Sequence, residues 1–343
     1  MNDRRQFLKM GGLAAAAAAT SALPISASGA REVEKSMRGT SPLTITKVEP
    51  LIVRSPMNEL SAGELVEMNP VGTLTNRGGG MGDRLNHSFP SRPKGHLQAM
   101  LLKITTNQGI IGWGEAHAPL APEVHGKIIT DLFAPILIGQ DARNILPLWE
   151  KLNSSQRLRG YSTGFYTESI AAVDIALWDI LGKFTGLPVY RLLGGKFRDK
   201  IPTYRHADSV EDVQENLELG FKAFKCGFNK RATDGIDKIA DISAVIGNSG
   251  QLMIDSLGAF KLHEAISVGR KFDELGNIGW FEDALMPEDT MGYAKLADAL
   301  DTPIVVGETL SNRFQFRDLF RNGAADIVNP DVGRAGGITE CKR

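Results

Sequence analysis

Three acidic residues stand at nearly equal intervals in this sequence, each at the end of a short apolar run. Asp255 ends LMID, Glu282 ends IGWFE and Glu308 ends TPIVVGE, with spacings of 27 and 26 residues. That spacing is about the length of one strand, one helix and two loops. In a parallel barrel the carboxyl ends of successive strands meet at one mouth. We therefore expect the three carboxylates to meet there.

The chemistry of this trio favours a metal site. Three carboxylates on adjacent strand ends repel one another unless a cation lies between them. Ligands that are all oxygen favour a hard divalent ion, with magnesium first and manganese second. A single acid after an apolar run is more often a helix N-cap or a solvated charge. Three such acids at one period are harder to explain in that way.

From Ile201 onward, strand-like and helix-like segments alternate in the sequence around the trio. Six apolar runs read as strands: IPTYRHA, KAFKCGF, LMIDS, IGWFED, TPIVVGE and ADIVNPD. A closed barrel of this type needs eight βα units. We therefore expect residues 161–343 to form a barrel domain that is incomplete at its C-terminal end.

The N-terminal part of the chain predicts a targeting signal followed by a smaller domain. Residues 1–30, with Arg4 and Arg5 before an alanine-rich apolar stretch, resemble a twin-arginine export signal, which implies a periplasmic protein. A Sec signal or a retained anchor is the alternative, although the apolar stretch is too short for a stable membrane span. A linker (31–42) and an α+β capping domain (43–160) follow.

Within the capping domain, QAMLLKITTNQGIIGWGEA predicts a hairpin, and Glu115 at its end is interpreted as structural. The glycine-rich stretch Gly78–Asp83 lacks the GK[ST] of a phosphate loop, which favours a mobile loop or a lid.

After the capping domain, the run SIAAVDIALWDILGKFTG predicts a helix ended by Gly186. We assign no chemistry to Asp174 and Asp179 on that helix.

Composition excludes some partners. With 39 basic and 40 acidic residues, the formal charge of −1 does not indicate nucleic acid or an anionic membrane as a partner. The two cysteines, Cys226 and Cys341, belong to different βα units, so we expect no disulfide.

Alternation along the strands identifies further candidates at the mouth. Lys225 and Gly227 share the inner face of KAFKCGF, while Cys226 points to the helices. Lys225 would lie beside the metal, where its pKa falls and its ammonium binds a substrate anion. A lysine that extends to solvent at a strand end is the alternative. Asp331 closes the sixth strand.

The ordered set of Lys225, the three acids and Asp331 resembles the mandelate racemase branch of the enolase superfamily. The segments GYSTGFYTESIAAVDIALWDILGKFTGLPVYRLLGG, IGWGEA, LFAPILIGQD and DIVNPDVGRAGGITE share this resemblance, which extends from Leu43 to the end of the chain. It implies a capping domain over a modified (β/α)7β barrel. It also implies a carboxylate substrate that loses its α-proton, with magnesium stabilising the enediolate.

The resemblance also implies roles for the individual residues. The three acids match the family's metal ligands. Lys225 matches the first lysine of a K-x-K motif and would contact the substrate carboxylate. Asp331 matches an aspartate that orients a histidine base on the following strand, and we expect that histidine beyond Arg343.

Two departures from the family pattern shape the functional hypothesis. Gly227 replaces the second lysine, which argues against a racemase that needs bases on both faces. Leu257 stands where relatives carry asparagine. We therefore expect a lyase that dehydrates a sugar acid to a 2-keto-3-deoxy acid, and the family also allows a homo-oligomer. An epimerase, racemase or cycloisomerase, and an inactive truncated homologue or binding protein, are the alternatives.

Other polar residues have two readings. His206, which ends the first strand, is either a substitute acid or base or a hydrogen-bonded structural group. His87, His96 and His117 belong to the capping domain, and contact with a substrate is the less favoured interpretation of each. Arg334 either binds an anion or pairs locally.

Overall fold

A computed structural model of the chain describes residues 41–56, 96–117, 121–228 and 235–343. The predicted signal peptide and residues 31–40 of the predicted linker lie outside these residues. The glycine-rich stretch Gly78–Asp83 and His87 also lie outside them. Among the described residues, no helix combines the length and the apolar character that crossing a membrane requires.

The first sheet is antiparallel and contains the predicted hairpin. Its strands are β1 (Ile45–Pro56), β2 (His96–Thr106) and β3 (Ile111–Ala116), in that spatial order. The turn between β2 and β3 is closed by Thr106, whose N–H donates to the carbonyl of Ile110 at 3.0 Å. Alternate residues of β2 point into the core, where Met100, Leu102 and Ile104 are fully buried.

Helices cover one face of this sheet. They are α1 (Pro122–Ile128), a π turn (Ile129–Phe133), α2 (Ala134–Leu137), α3 (Ile145–Ser155) and α4 (Phe165–Thr185). The last is the helix predicted from the apolar periodicity, and it ends at Gly186 in the left-handed conformation (φ 68°). The buried face of α4 lies in the same hydrophobic core as β2. The domain boundary near residue 160 stays a prediction. Helix α4 follows that boundary in the sequence, but it packs against the antiparallel sheet that precedes it.

Close approach of α4 to β3 depends on two glycines. A Cβ at Gly114 would lie 1.9 Å from the carbonyl oxygen of Ala172, and one at Gly112 would lie 2.2 Å from that of Ala176. These distances leave no room for any side chain, so the helix backbone rests directly on the strand.

The second sheet is parallel and has the predicted sequential order. Its six strands are β4 (Arg205–His206), β5 (Ala223–Gly227), β6 (Gln251–Asp255), β7 (Ile278–Glu282), β8 (Ile304–Val306) and β9 (Ile327–Val328). The remaining helices are α5 (Val189–Leu192), α6 (Val210–Glu218), α7 (Gly235–Ile246), α8 (Leu262–Leu275), α9 (Thr290–Ala299), α10 (Arg313–Asn322) and α11 (Ile338–Cys341). Strands in parallel register that alternate with helices form the predicted barrel-type α/β architecture.

The two outer strands are shorter than the sequence predicted. IPTYRHA and ADIVNPD each form only two residues of strand. Within the described ranges, β4 pairs only with β5 and β9 only with β8, so each has half the ladder of an inner strand. Pro330 also removes an N–H just after β9.

Outward-facing residues of the parallel sheet pack against the helices in a second core. Phe224, Cys226, Ile254 and Phe281 are fully buried there. Cys226 packs on the side of the helices, as predicted, and both cysteine thiols are free.

Replacing Gly114 with alanine should force α4 away from β3 and destabilise the chain by at least about 1–3 kcal/mol. Urea unfolding followed by circular dichroism measures this loss. Gly126→Ala is the matched control, because its Cβ would meet nothing closer than Pro50, at an ordinary 3.7 Å. Equal stability of the two variants would contradict the tight contact.

Candidate active site

The structure brings the three spaced acids together at the carboxyl ends of the parallel strands. Asp255 and Glu282 are partners in the register of β6 and β7. Glu308 follows β8 by two residues, after Gly307 (φ 145°). One carboxylate oxygen from each of the three lies within 4.8 Å of the others. Their use as ligands stays a prediction, but the distances suit one shared cation.

Lys225 on β5 lies against this trio. Its Nζ is 2.9 Å from Oδ2 of Asp255 and 2.8 Å from Oε2 of Glu282. Burial opposes the charged form of Lys225, but the hydrogen bond to Glu282 and the charge of Asp255 outweigh burial and raise its pKa. The lowered pKa that the sequence predicts for Lys225 beside a bound metal stays a prediction. Here the ammonium itself lies between two carboxylates, which favours its charged form.

Glu282 is the most buried of the three acids and is held by two neighbours. Its side chain is 2% exposed. The indole N–H of Trp280 donates to Oε2 at 3.1 Å, and Nδ2 of Asn329 donates to Oε1 at 2.7 Å. Sequence reasoning missed both neighbours. Trp280 could have been found by alternation, because it precedes Glu282 by two residues on the same strand face.

The site carries an excess of buried negative charge. Burial, and then the charge of Asp255, raise the pKa of Glu308, while Arg334 acts in the opposite direction. Asp283 is also buried, and burial followed by the charges of Glu282 and Asp255 raises its pKa to about 7. A further cation would relieve this repulsion. The donors of the trio are all carboxylate oxygens, so the residues fit magnesium or manganese.

Asp331 and Arg334 form the next part of the mouth. Oδ1 of Asp331 accepts from the backbone N–H groups of Gly333 at 2.6 Å and Arg334 at 3.1 Å. Nη2 of Arg334 lies 3.0 Å from Nε2 of His117 and 3.9 Å from Oε1 of Glu308. Arg334 therefore pairs locally, and His117 links the end of β3 to the mouth. That Asp331 orients a histidine base stays a prediction.

The remaining predicted positions lie on the β4 to β6 side. His206 ends β4 in register with Lys225, and Gly227 ends β5 in register with Asp255. Leu257 has a left-handed backbone (φ 45°) and is exposed, and its N–H donates to Oδ1 of Asp255 at 3.3 Å. The backbone of this loop thus contacts the site, while the leucine side chain supplies no polar group.

The segment after β9 is anchored to α4 by Asp174. Oδ2 of Asp174 accepts from the backbone N–H of Thr339 at 2.9 Å, and Oδ1 accepts from the Thr339 hydroxyl at 2.5 Å. Trp149 adds a hydrogen bond to the carbonyl of Gly336 at 2.6 Å. Burial raises the pKa of Asp174 to about 6, although the bonds from Thr339 lower it. Asp174 thus caps α11 rather than taking part in the chemistry.

This pKa predicts a pH dependence of stability. The folded chain retains the Asp174 proton at pH 5, whereas the unfolded chain has released it, so stability falls as the pH rises from about 4 to above 6. Between pH 4 and pH 7, wild type should lose about 2 kcal/mol more unfolding free energy than Asp174→Asn, which cannot titrate there. Urea melts of both proteins at the two pH values measure this difference. Parallel pH dependence in the two would contradict it.

Three family models match this chain. Residues 208–343 match the enolase C-terminal domain-like family, and residues 88–194 match the N-terminal domain of mandelate racemase / muconate lactonizing enzyme. Residues 1–21 match the twin-arginine translocation pathway signal sequence, which supports export across the cytoplasmic membrane.

Curated relatives align with the greater part of the chain. A D-galactonate dehydratase of Verminephrobacter eiseniae (strain EF01-2) is 34% identical over 260 residues, and a D-galactarolactone cycloisomerase of Agrobacterium fabrum (strain C58 / ATCC 33970) is 31% identical over 255 residues. Each alignment covers 71% of this chain and 66% of the relative. The chain thus spans just under two thirds of the length of these relatives.

Solved structures show the same fold. The 3,6-anhydro-D-galactonate cycloisomerase from Zobellia galactanivorans superposes with a TM-score of 0.71 at 31% identity, over 87% of this chain and 75% of that one. A member of the enolase superfamily from Agrobacterium tumefaciens gives a TM-score of 0.74 at 28% identity, over 88% and 76%.

Proposed function

Because the chain belongs to the mandelate racemase/muconate lactonizing enzyme family of the enolase superfamily, we propose that it dehydrates a sugar acid to a 2-keto-3-deoxy acid. The observation that carries this proposal is the convergence of three carboxylates around Lys225 at the barrel mouth. Relatives named D-galactonate dehydratase support the acid-sugar substrate class. Gly227 favours dehydration over racemisation, because no second lysine stands on that face.

The metal of this proposal is magnesium, with manganese as the substitute. Asp255, Glu282 and Glu308 would hold it, and Trp280 and Asn329 would keep Glu282 oriented. When bound, the ion supplies positive charge that stabilises the second negative charge developing on the substrate carboxylate.

Lys225 would bind the substrate rather than abstract its proton. Its contacts with two carboxylates favour the charged side chain, and an ammonium group has no lone pair with which to accept the α-proton. A charged lysine beside the metal ligands suits one oxygen of a substrate carboxylate. The proton must then pass to another group of the mouth.

The compartment in which the enzyme acts and its oligomeric state are also proposals. The twin-arginine match supports a mature enzyme that acts in the periplasm on a small acid sugar. A homo-oligomer, which the family allows, stays a prediction.

A second candidate is cycloisomerisation on the same site. It is favoured by the relative named D-galactarolactone cycloisomerase and by the structural similarity to a 3,6-anhydro-D-galactonate cycloisomerase. Both candidates begin with loss of the α-proton. They differ in the leaving group, since only dehydration releases water.

Replacing Glu282 with glutamine should abolish metal binding and lower kcat/KM by about 100-fold or more, because it removes one charged ligand while keeping a side chain of similar shape. Isothermal titration with Mg²⁺ and a keto-acid assay with D-galactonate measure the two effects. Glu274→Gln, which changes an exposed residue of α8, is the control.

Full activity of Glu282→Gln would contradict the proposed site. Exchange of the α-proton with deuterium from the solvent, without keto acid, would instead favour the cycloisomerase. A wild-type chain that binds D-galactonate but neither exchanges its proton nor converts it would indicate a binding protein.

A further inference from the structure

The guanidinium of Arg334 stands beside two carboxylates without a hydrogen bond to either. Nη2 of Arg334 lies 3.9 Å from Oε1 of Glu308, and Nε lies 4.0 Å from Oδ2 of Asp331. Both separations exceed the length of a charge-assisted hydrogen bond, about 2.7–2.9 Å. Nε is buried and has no hydrogen-bond partner among the described residues. Because an unpaired buried donor costs free energy, another contact must hold the guanidinium back from these carboxylates.

His117 supplies that contact. Its Nε2 lies 3.0 Å from Nη2 of Arg334, the same nitrogen that faces Glu308. A guanidinium donates hydrogen bonds and never accepts them, so Nε2 accepts here and the neutral His117 ring carries its proton on Nδ1. Within the described ranges this is the one hydrogen bond that the Arg334 side chain makes.

The position of His117 is fixed by the segments that meet there. His117 directly follows β3, and the loop after β9 runs alongside it. A Cβ at Gly333 of that loop would lie 3.4 Å from Cβ of His117 and 3.1 Å from Oδ1 of Asp331. The same loop is anchored to α4 by the hydrogen bonds between Asp174 and Thr339. His117 therefore has little freedom to follow Arg334 toward Glu308.

The distance between Arg334 and Glu308 matters for the use of Glu308 as a ligand. Arg334 is the one basic side chain paired with Glu308 in the part of the chain that the structure describes. Lys225 contacts Asp255 and Glu282 instead. At 3.9 Å the guanidinium offsets part of the negative charge of Glu308 without bonding to its oxygens. Direct closure would place N–H donors on the oxygens that a divalent ion needs.

We propose that His117 is a positioning residue that holds Arg334 back from Glu308 and so keeps this carboxylate available to the divalent ion. The assignment rests on the metal site of the proposed function. It makes the metal affinity of the barrel mouth depend on a residue that follows the antiparallel sheet. Without His117, the guanidinium closes on Glu308 and competes with the ion for its oxygens.

The test titrates Mn²⁺ into the whole chain and follows the free ion by electron paramagnetic resonance. His117→Leu removes the acceptor, and we expect the Kd for Mn²⁺ to rise about tenfold. His117→Gln places an amide oxygen near the position of Nε2 and should stay within about threefold of wild type. His263→Leu, on the exposed face of α8, is the control and should match wild type.

A second substitution separates this restraint from a general loss of structure. Arg334→Met in the His117→Leu background removes the competing cation, so the Mn²⁺ affinity should return to within about threefold of that of Arg334→Met alone. Damage to the packing around His117 would not be repaired in this way. In ¹⁵N-histidine NMR, His117 should carry its proton on Nδ1 in wild type and lose that preference in Arg334→Met.

Three outcomes overturn the assignment when wild type binds Mn²⁺, and all three leave the proposed function standing. The first is equal affinity of His117→Leu and wild type. The second is a weakened affinity that Arg334→Met does not restore, and the third is a loss in His117→Gln as large as that in His117→Leu. If wild type itself binds no Mn²⁺, the metal site of the proposed function fails first and this assignment falls with it.

Discussion

Repulsion among three carboxylates is the constraint around which this mouth is built. Asp255, Glu282 and Glu308 come from different βα units, yet their oxygens approach within 4.8 Å. Partial burial strengthens the repulsion, because little water screens the charges. Lys225 offsets part of it through two contacts, and Arg334 approaches Glu308 only to 3.9 Å. The remaining charge explains why a divalent ion suits this position better than a neutral ligand.

The segments around the trio hold it in place from two sides. On the strand side, Trp280 and Asn329 fix both oxygens of the buried Glu282. On the helix side, Asp174 of α4 caps α11 and so anchors the chain just after Asp331 and Arg334. Helix α4 packs directly on β3 of the antiparallel sheet and also binds α11, which follows the parallel sheet. A change in the packing of α4 would therefore affect the position of the residues at the mouth.

Much of the site geometry was accessible from the sequence, since parallel strands place their ends together. The spacing of the acids predicted their convergence, and alternation placed Lys225 on the inner face and Cys226 in the outer core. The contact between His117 and Arg334 was not predictable in this way, because it joins residues 217 positions apart in the loops that follow β3 and β9. The lengths of β4 and β9 were overestimated, since periodicity does not show how many neighbours a strand has.

The two ion pairs of Lys225 were not anticipated from the sequence, which considered only the repulsion from a metal. The structure places the ammonium between Asp255 and Glu282. A lowered pKa of Lys225 beside a bound metal stays a prediction. The central claim is that the three carboxylates bind one divalent ion. Anomalous diffraction from crystals soaked in manganese tests it directly. We predict one strong peak within about 2.5 Å of an oxygen from each of the three acids. A site without a peak at saturating manganese, or a peak held by other residues, would contradict the account.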